Sequence, residues 1–213
     1  MAHPTTTSFS TLNNYISKNG AELVITSMVA STNNEVKLPA FLTEMGQSFS
    51  SNWNTEDVYG RNDPIATFQN TTRTISLGLE IPAGTLADAK KNLEACARIT
   101  TFLYPGYNEV GYTAGDEKEF IKTANVLSKA PLVKIKFGNL IRSMKTGGGL
   151  LGWLGSFDFS PVLDAGMYIA GEGQFYPKVI SISFSFNVLH QDELGHEKSA
   201  SGSKWRASRL PWD

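Results

Sequence analysis

Cysteine and histidine are scarce in this 213-residue chain: Cys96 is the single cysteine, and the histidines are His3, His190 and His196. One thiol cannot form an intrachain disulfide, and so low a count suits folding in a reducing compartment. Excess charge of either sign is also missing, with 19 Lys and Arg against 20 Asp and Glu for a net charge of -1. That balance excludes a global basic field of the kind that binds nucleic acid by counterion release, so any contact with DNA is expected to be local or steric. No stretch approaches eighteen unbroken apolar residues, and the opening MAHPTTTSFSTL has neither a basic segment nor an apolar one. The expectation is a protein that is neither exported through a signal peptide nor inserted in a membrane.

What is present belongs to a folded chain: 41% hydrophobic and 18% charged residues, with enough length to bury a sizeable core. Residues 1–20 are rich in Ser, Thr and Asn and read as an N-terminal arm; residues 21–190 read as one large β domain; residues 191–213 form a polar C-terminal tail apart from Trp205, Leu210, Pro211 and Trp212. Within the domain, residues 23–29 form a first strand, and residues 41–53 place Phe41, Met45, Phe49 and Trp53 on one parity. Ile75, Leu77, Leu79 and Ile81 alternate with small or polar residues, as do Val133, Ile135 and Phe137, and as do Trp153, Gly155, Phe157 and Phe159. Ile180, Ile182, Phe184, Phe186 and Val188 against Ser181, Ser183, Ser185 and Asn187 is the strongest case. A two-residue period is that of a strand with one buried face.

One helix, at about residues 85–104, interrupts the strands. Thr85 is placed to cap with Asp88 three residues on, and Leu86, Ala89, Leu93, Cys96, Ala97, Thr100 and Leu103 trace one face until Pro105 and Gly106. Strands on both sides of a single helix, without regular βαβ alternation, predict a mainly β fold: an antiparallel sheet, sandwich or barrel with one flanking α-helix. Residues 104–130 read as a long connection, and Gly147, Gly148 and Gly149 as a turn or loop.

Catalytic constellations are missing from the pattern. His190 and His196 flank Gln191, Asp192, Glu193, Leu194 and Gly195 without the HExxH spacing, and no further Cys or His completes a metal site. Cys96 falls on the apolar helix face, the position of an inert buried thiol. No GxSxG elbow occurs, and neither the run 147–149 nor the glycines at 166–173 frame a phosphate-binding loop. Asp116, Glu117 and Glu119, mixed with Lys118 and Lys122, read as a solvated face. Lys134 and Lys136, with Lys129, Arg142 and Lys145 nearby, form one basic cluster, which serves equally as a phosphate contact or as protection of a sheet edge. No catalytic residue, metal or cofactor is expected.

Two features point to contacts between proteins. The face Ser181, Ser183, Ser185 and Asn187 is too polar for a core and too uncharged for an ordinary solubilising surface; it suits protein packing, a polar lumen or a half-exposed sandwich face. The segment from Asp57 to Ile65 combines turn chemistry at Tyr59-Gly60 and Asp63-Pro64 with the donor fork of Arg61, available either to a neighbour or to its own loop. Trp53-Asn54, the run 56–65, Thr71 to Leu77, the helix ending in Tyr104-Pro105, and the segment 181–195 together resemble the baseplate tail-tube proteins, the tube initiators or caps, of contractile-tailed bacteriophages.

That resemblance implies an antiparallel tail-tube-like β-barrel or sandwich, assembled as a homo-hexameric ring between baseplate and tail tube. It implies the tail tube protein, other baseplate proteins and a tape-measure protein as partners, DNA passing through the lumen without sequence-specific binding, and residence in the virion after assembly in the host cytoplasm. The subunit contacts would involve Tyr59, Arg61, Asp63 and Pro64 of the loop, and Ser181, Ser183, Ser185 and Asn187 of the strand. Tyr104, Tyr107, Tyr112 and Trp205 motivate a different expectation, a β-sandwich module that binds a peptide or glycan.

Overall fold

Burial of every second residue organises the structure, a computed structural model that describes residues 15–18, 22–32, 34–114, 119–143, 147–171, 173–191, 195–198 and 205–209, the side chains of 111–123, 195–198 and 205–209 excepted. In chain order the strands are β1 Leu23–Ser27, β2 Glu35–Leu38, β3 Phe41–Glu56 and β4 Ile65–Pro82, followed by helix α1, Leu86–Thr101. After it come β5 Gly106–Ala114, β6 Glu119–Lys129, β7 Val133–Phe137, β8 Leu150–Pro161, β9 Met167–Ala170, β10 Gln174–Pro177, β11 Val179–Val188, β12 Gly195–Lys198 and β13 Trp205–Arg209. The protein is mainly β, and its centre is a seven-stranded antiparallel sheet in the order β2-β1-β7-β8-β11-β4-β3.

β4 and β11 form the spine of the sheet. Their register sets Ile75 opposite Phe186, Leu77 opposite Phe184, Leu79 opposite Ile182 and Ile81 opposite Ile180. All eight are buried and continue into Ile25, Leu23, Val133 and Ile135 of β1 and β7. Each such side chain removed from water contributes on the order of 2 kcal/mol before the entropy of ordering it is counted. Helix α1 closes this face with Cys96 and Ile99. Its start has the predicted cap: Thr85 Oγ1 accepts from Asp88 N at 3.2 Å, and Thr85 N donates to Asp88 Oδ2 at 3.1 Å. The buried stripe runs through Ala89, Asn92, Cys96 and Ile99 rather than through Ala97, which is exposed.

β2 and β3 are the two edges of the sheet, yet only Pro39 and Ala40 separate them in sequence. Three Cα steps span at most about 11 Å, so at that corner the sheet curls until its edges nearly meet. Leu38 of β2 and Ala40 of the link are buried in the same core as Leu79 of β4.

Two local readings are corrected. Trp153 does not share the core face with Phe157, because the β8–β11 ladder shifts register between Ser185 and Phe186; Leu154 turns inward and Trp153 outward. A bulge reverses parity, which strict alternation cannot anticipate. Residues 104–130 are not a plain connection: β5 and β6 pair into a hairpin, whose described side chains at 107–110 and 124–129 are exposed and therefore carry no burial period. Within the segment read as a polar tail, β12 and β13 pair as a two-stranded ladder, as β9 and β10 do before β11.

Candidate functional site

The long hairpin β3–β4 outruns its sheet. β11 ends with Val188 opposite Arg73, and beyond that point Ser50–Glu56 and Ile65–Thr72 pair with each other alone. Eight residues of β4 at about 3.4 Å each make a projection of roughly 27 Å. Side chains along it are exposed or half-buried, and both its edges are unpaired among the described residues. Trp53 and Phe68 meet edge to face on one side, 5.2 Å between centroids, while remaining 56% and 51% exposed. Asn52 Nδ2 donates to Asn70 Oδ1 at 2.7 Å across the ladder. Two lone strands are marginally stable in water, and an exposed strand edge is a template for pairing with another chain.

Tyr59, Arg61, Asp63 and Pro64 sit together at the tip of this arm. Gly60 takes a positive φ of 87°, and Arg61 N donates to Val58 O at 3.2 Å to close the turn. Tyr59 is fully exposed. The turn chemistry of Tyr59-Gly60 and Asp63-Pro64 thus marks a hairpin end, and it presents Glu56, Asp57 and Asp63 beside Arg61.

Ser181, Ser183, Ser185 and Asn187 lie elsewhere, on the sheet face that points away from α1. In register beside them are Glu80, Gly78, Ser76 and Thr74 of β4, and Asp158, Ser156 and Trp153 of β8. Ser156 Oγ and Ser185 Oγ are 3.0 Å apart, and Thr74 Oγ1 donates to Asn187 Oδ1 at 3.0 Å. Gly155 belongs to this carpet: a Cβ there would come within 2.8 Å of Ser185 Oγ. Lys134 and Lys136 of β7, both half-buried, face the same way as the serines with respect to the core. The two groups of predicted contact residues are therefore separate surfaces, one at the arm tip and one on the sheet.

Sequence reasoning missed Arg73. It stands at the arm root on the core parity of β4, two residues before Ile75, and is 3% exposed. Its Nε and Nη2 donate to Gln47 Oε1 at 3.2 and 2.6 Å, and its guanidinium lies 5.4 Å from the centre of the Phe49 ring. No ion pair joins Arg73 to a carboxylate among the described residues. Burial lowers its pKa, and its charge adds to the desolvation that lowers the pKa of His190. The sequence showed only a charged residue two positions before Ile75, on its parity, which does not by itself separate a buried cation from a solvated one.

Elsewhere the chemistry is quiet. Cys96 is fully buried, and desolvation pushes its thiol up to about 11, away from the thiolate needed for reaction. No group of three or more metal-ligating side chains occurs among the described residues, and the His196 side chain lies outside them. Tyr104 and Tyr107 are exposed, whereas the side chains of Tyr112 and Trp205 fall outside the described set. No described helix is long and apolar enough to cross a membrane. Comparison with protein-family models and with curated proteins gives no match.

Proposed function

We propose that the chain is an architectural, non-catalytic subunit of a contractile phage-like tail, forming a ring that joins tail tube to baseplate and lets DNA pass. The observation that carries this reading is the β3–β4 arm: a paired ribbon of roughly 27 Å with exposed aromatics and unpaired edges. A ribbon of this kind becomes stable when it is covered, and a neighbouring subunit is the economical cover.

The sheet supports the same reading. One face is closed by α1, and the other is mainly Ser, Thr, Gly and Asn, with Glu80, Asp158 and Trp153 among them and Lys134 and Lys136 alongside, a polar surface of balanced charge that supports a hydrated lumen through which DNA passes without being read. Edges β2 and β3 are brought near each other by the link at Pro39 and Ala40, a curl that supports the tail-tube-like barrel this reading requires. In the assembled ring, edge strands of neighbouring copies would continue one sheet, a heterologous contact that closes without a two-fold axis. The tail tube protein, other baseplate proteins and a tape-measure protein are the partners this role implies.

Negative-stain electron microscopy of the purified protein tests the role. Rings with an open centre, sixfold by expectation, are the predicted particles; a protein that stays monomeric at all concentrations overturns the reading.

A further inference from the structure

We propose that Arg73 is the receptor in a head-to-tail contact between copies of this chain, in which the acidic arm tip of one copy is accepted at the arm root of the next. This inference rests on the ring-subunit reading and names the residues that would make one of its contacts.

Three observations converge on it. Arg73 is 3% exposed, and its described hydrogen bonds go to one amide oxygen, that of Gln47, at 3.2 and 2.6 Å. A guanidinium has five N–H donors in a fixed fork, and a buried charge is costly unless an opposite charge meets it. Gln47 also lines a cavity of about 480 Å³ with Met45, Asn139 and Leu140, so an opening lies one side chain away from the buried cation, on the far side of its Gln47 partner. The exposed tip supplies the complement: Glu56, Asp57 and Asp63 against Arg61 leave two net negative charges, with Val58 and Tyr59 between them. A carboxylate would meet the guanidinium while an apolar or aromatic tip side chain occupies the cavity, the pairing of anchor and charge that interfaces favour.

Geometry makes the contact intermolecular. The tip is held roughly 27 Å from its own root by an antiparallel ladder that stays paired on both sides of one register shift, between Asn52 opposite Asn70 and Trp53 opposite Phe68, so it does not fold back onto Arg73. Tip and root are different surfaces, and their union repeats head to tail.

Sedimentation velocity on the full-length protein tests the proposal through the exposed partner, where folding is not at risk. The combined variant Glu56→Gln, Asp57→Asn and Asp63→Asn should keep the wild-type thermal midpoint at low concentration, yet need a roughly thirtyfold or higher concentration to assemble, the effect of removing one side of a buried charge pair. Arg73→Gln should also fail to assemble, and an equimolar mixture of the two variants should stop at dimers, because such a pair can form one intact contact only. Assembly of the tip variant at the wild-type concentration overturns this contact while leaving the ring reading in place. A wild-type protein that is monomeric at every concentration overturns both.

Discussion

At the scale of single residues, Arg73 and His190 show how position outweighs residue type. Desolvation first, and the Arg73 charge second, hold the His190 imidazole below its ordinary pKa, which is about 6.5 in an unfolded chain. The folded state therefore binds fewer protons than the unfolded one across the interval between the two values. Its contribution to stability is complete above the unfolded pKa and is lost as pH falls through the folded one. An NMR titration should place the His190 midpoint below 6.5, the value for the free side chain, and Arg73→Gln should raise it part of the way back, since desolvation remains. An unchanged midpoint would show that the guanidinium charge does not reach the ring. Cys96 was legible because helical spacing put it on an apolar face, where it is found. Arg73 was not, because no sequence period distinguishes a buried cation from a polar residue at a strand end.

Among the elements, legibility followed burial. β4 and β11 announced themselves because Ile75 to Ile81 and Ile180 to Val188 bury alternate side chains, and α1 because its capping box and apolar stripe agree. β5 and β6 stayed silent since their described side chains face solvent. The β8 bulge misled, and Gly152 beside it shows how tightly that strand is seated: a Cβ there would lie 2.0 Å from Asn187 O and 2.7 Å from Phe186 Cζ. Neither a backbone carbonyl inside a ladder nor a fully buried ring yields easily. Gly152→Ala should thus cost about 3 kcal/mol, toward the upper end for overpacking, seen as a lower urea midpoint at unchanged slope. Gly171→Ala, with nothing within 4 Å of its added Cβ, serves as the control and should stay within about 0.5 kcal/mol of the parent. Equal losses at both positions would mean that the ladder relaxes around the new methyl group.

For the whole molecule, the division between core and arm is the property from which its assembly would follow. Helix α1, β1, β2, β7, β8 and β11, with the core half of β4, bury one common face, while the outer half of the β3–β4 hairpin contacts little but itself. This division was only half visible in the sequence: residues 41–53 and 74–81 carried strand patterns, but Ile65–Thr72 did not, since both of its faces are exposed. Folding and assembly should then be separable by one deletion. Ser50 stands opposite Thr72, so replacing residues 51–71 with Asn-Gly closes the hairpin at that pair with a type I′ turn whose twist matches the strands. All of Ile75, Leu77, Leu79 and Ile81 keep their partners on β11, and the free subunit no longer exposes Trp53 and Phe68. The shortened chain should melt cooperatively within a few degrees of the full one, remain monomeric by sedimentation, and form no rings under the microscope. Rings from the shortened chain would move the subunit contact to the sheet edges, and loss of cooperative melting would show that the arm belongs to the folding core.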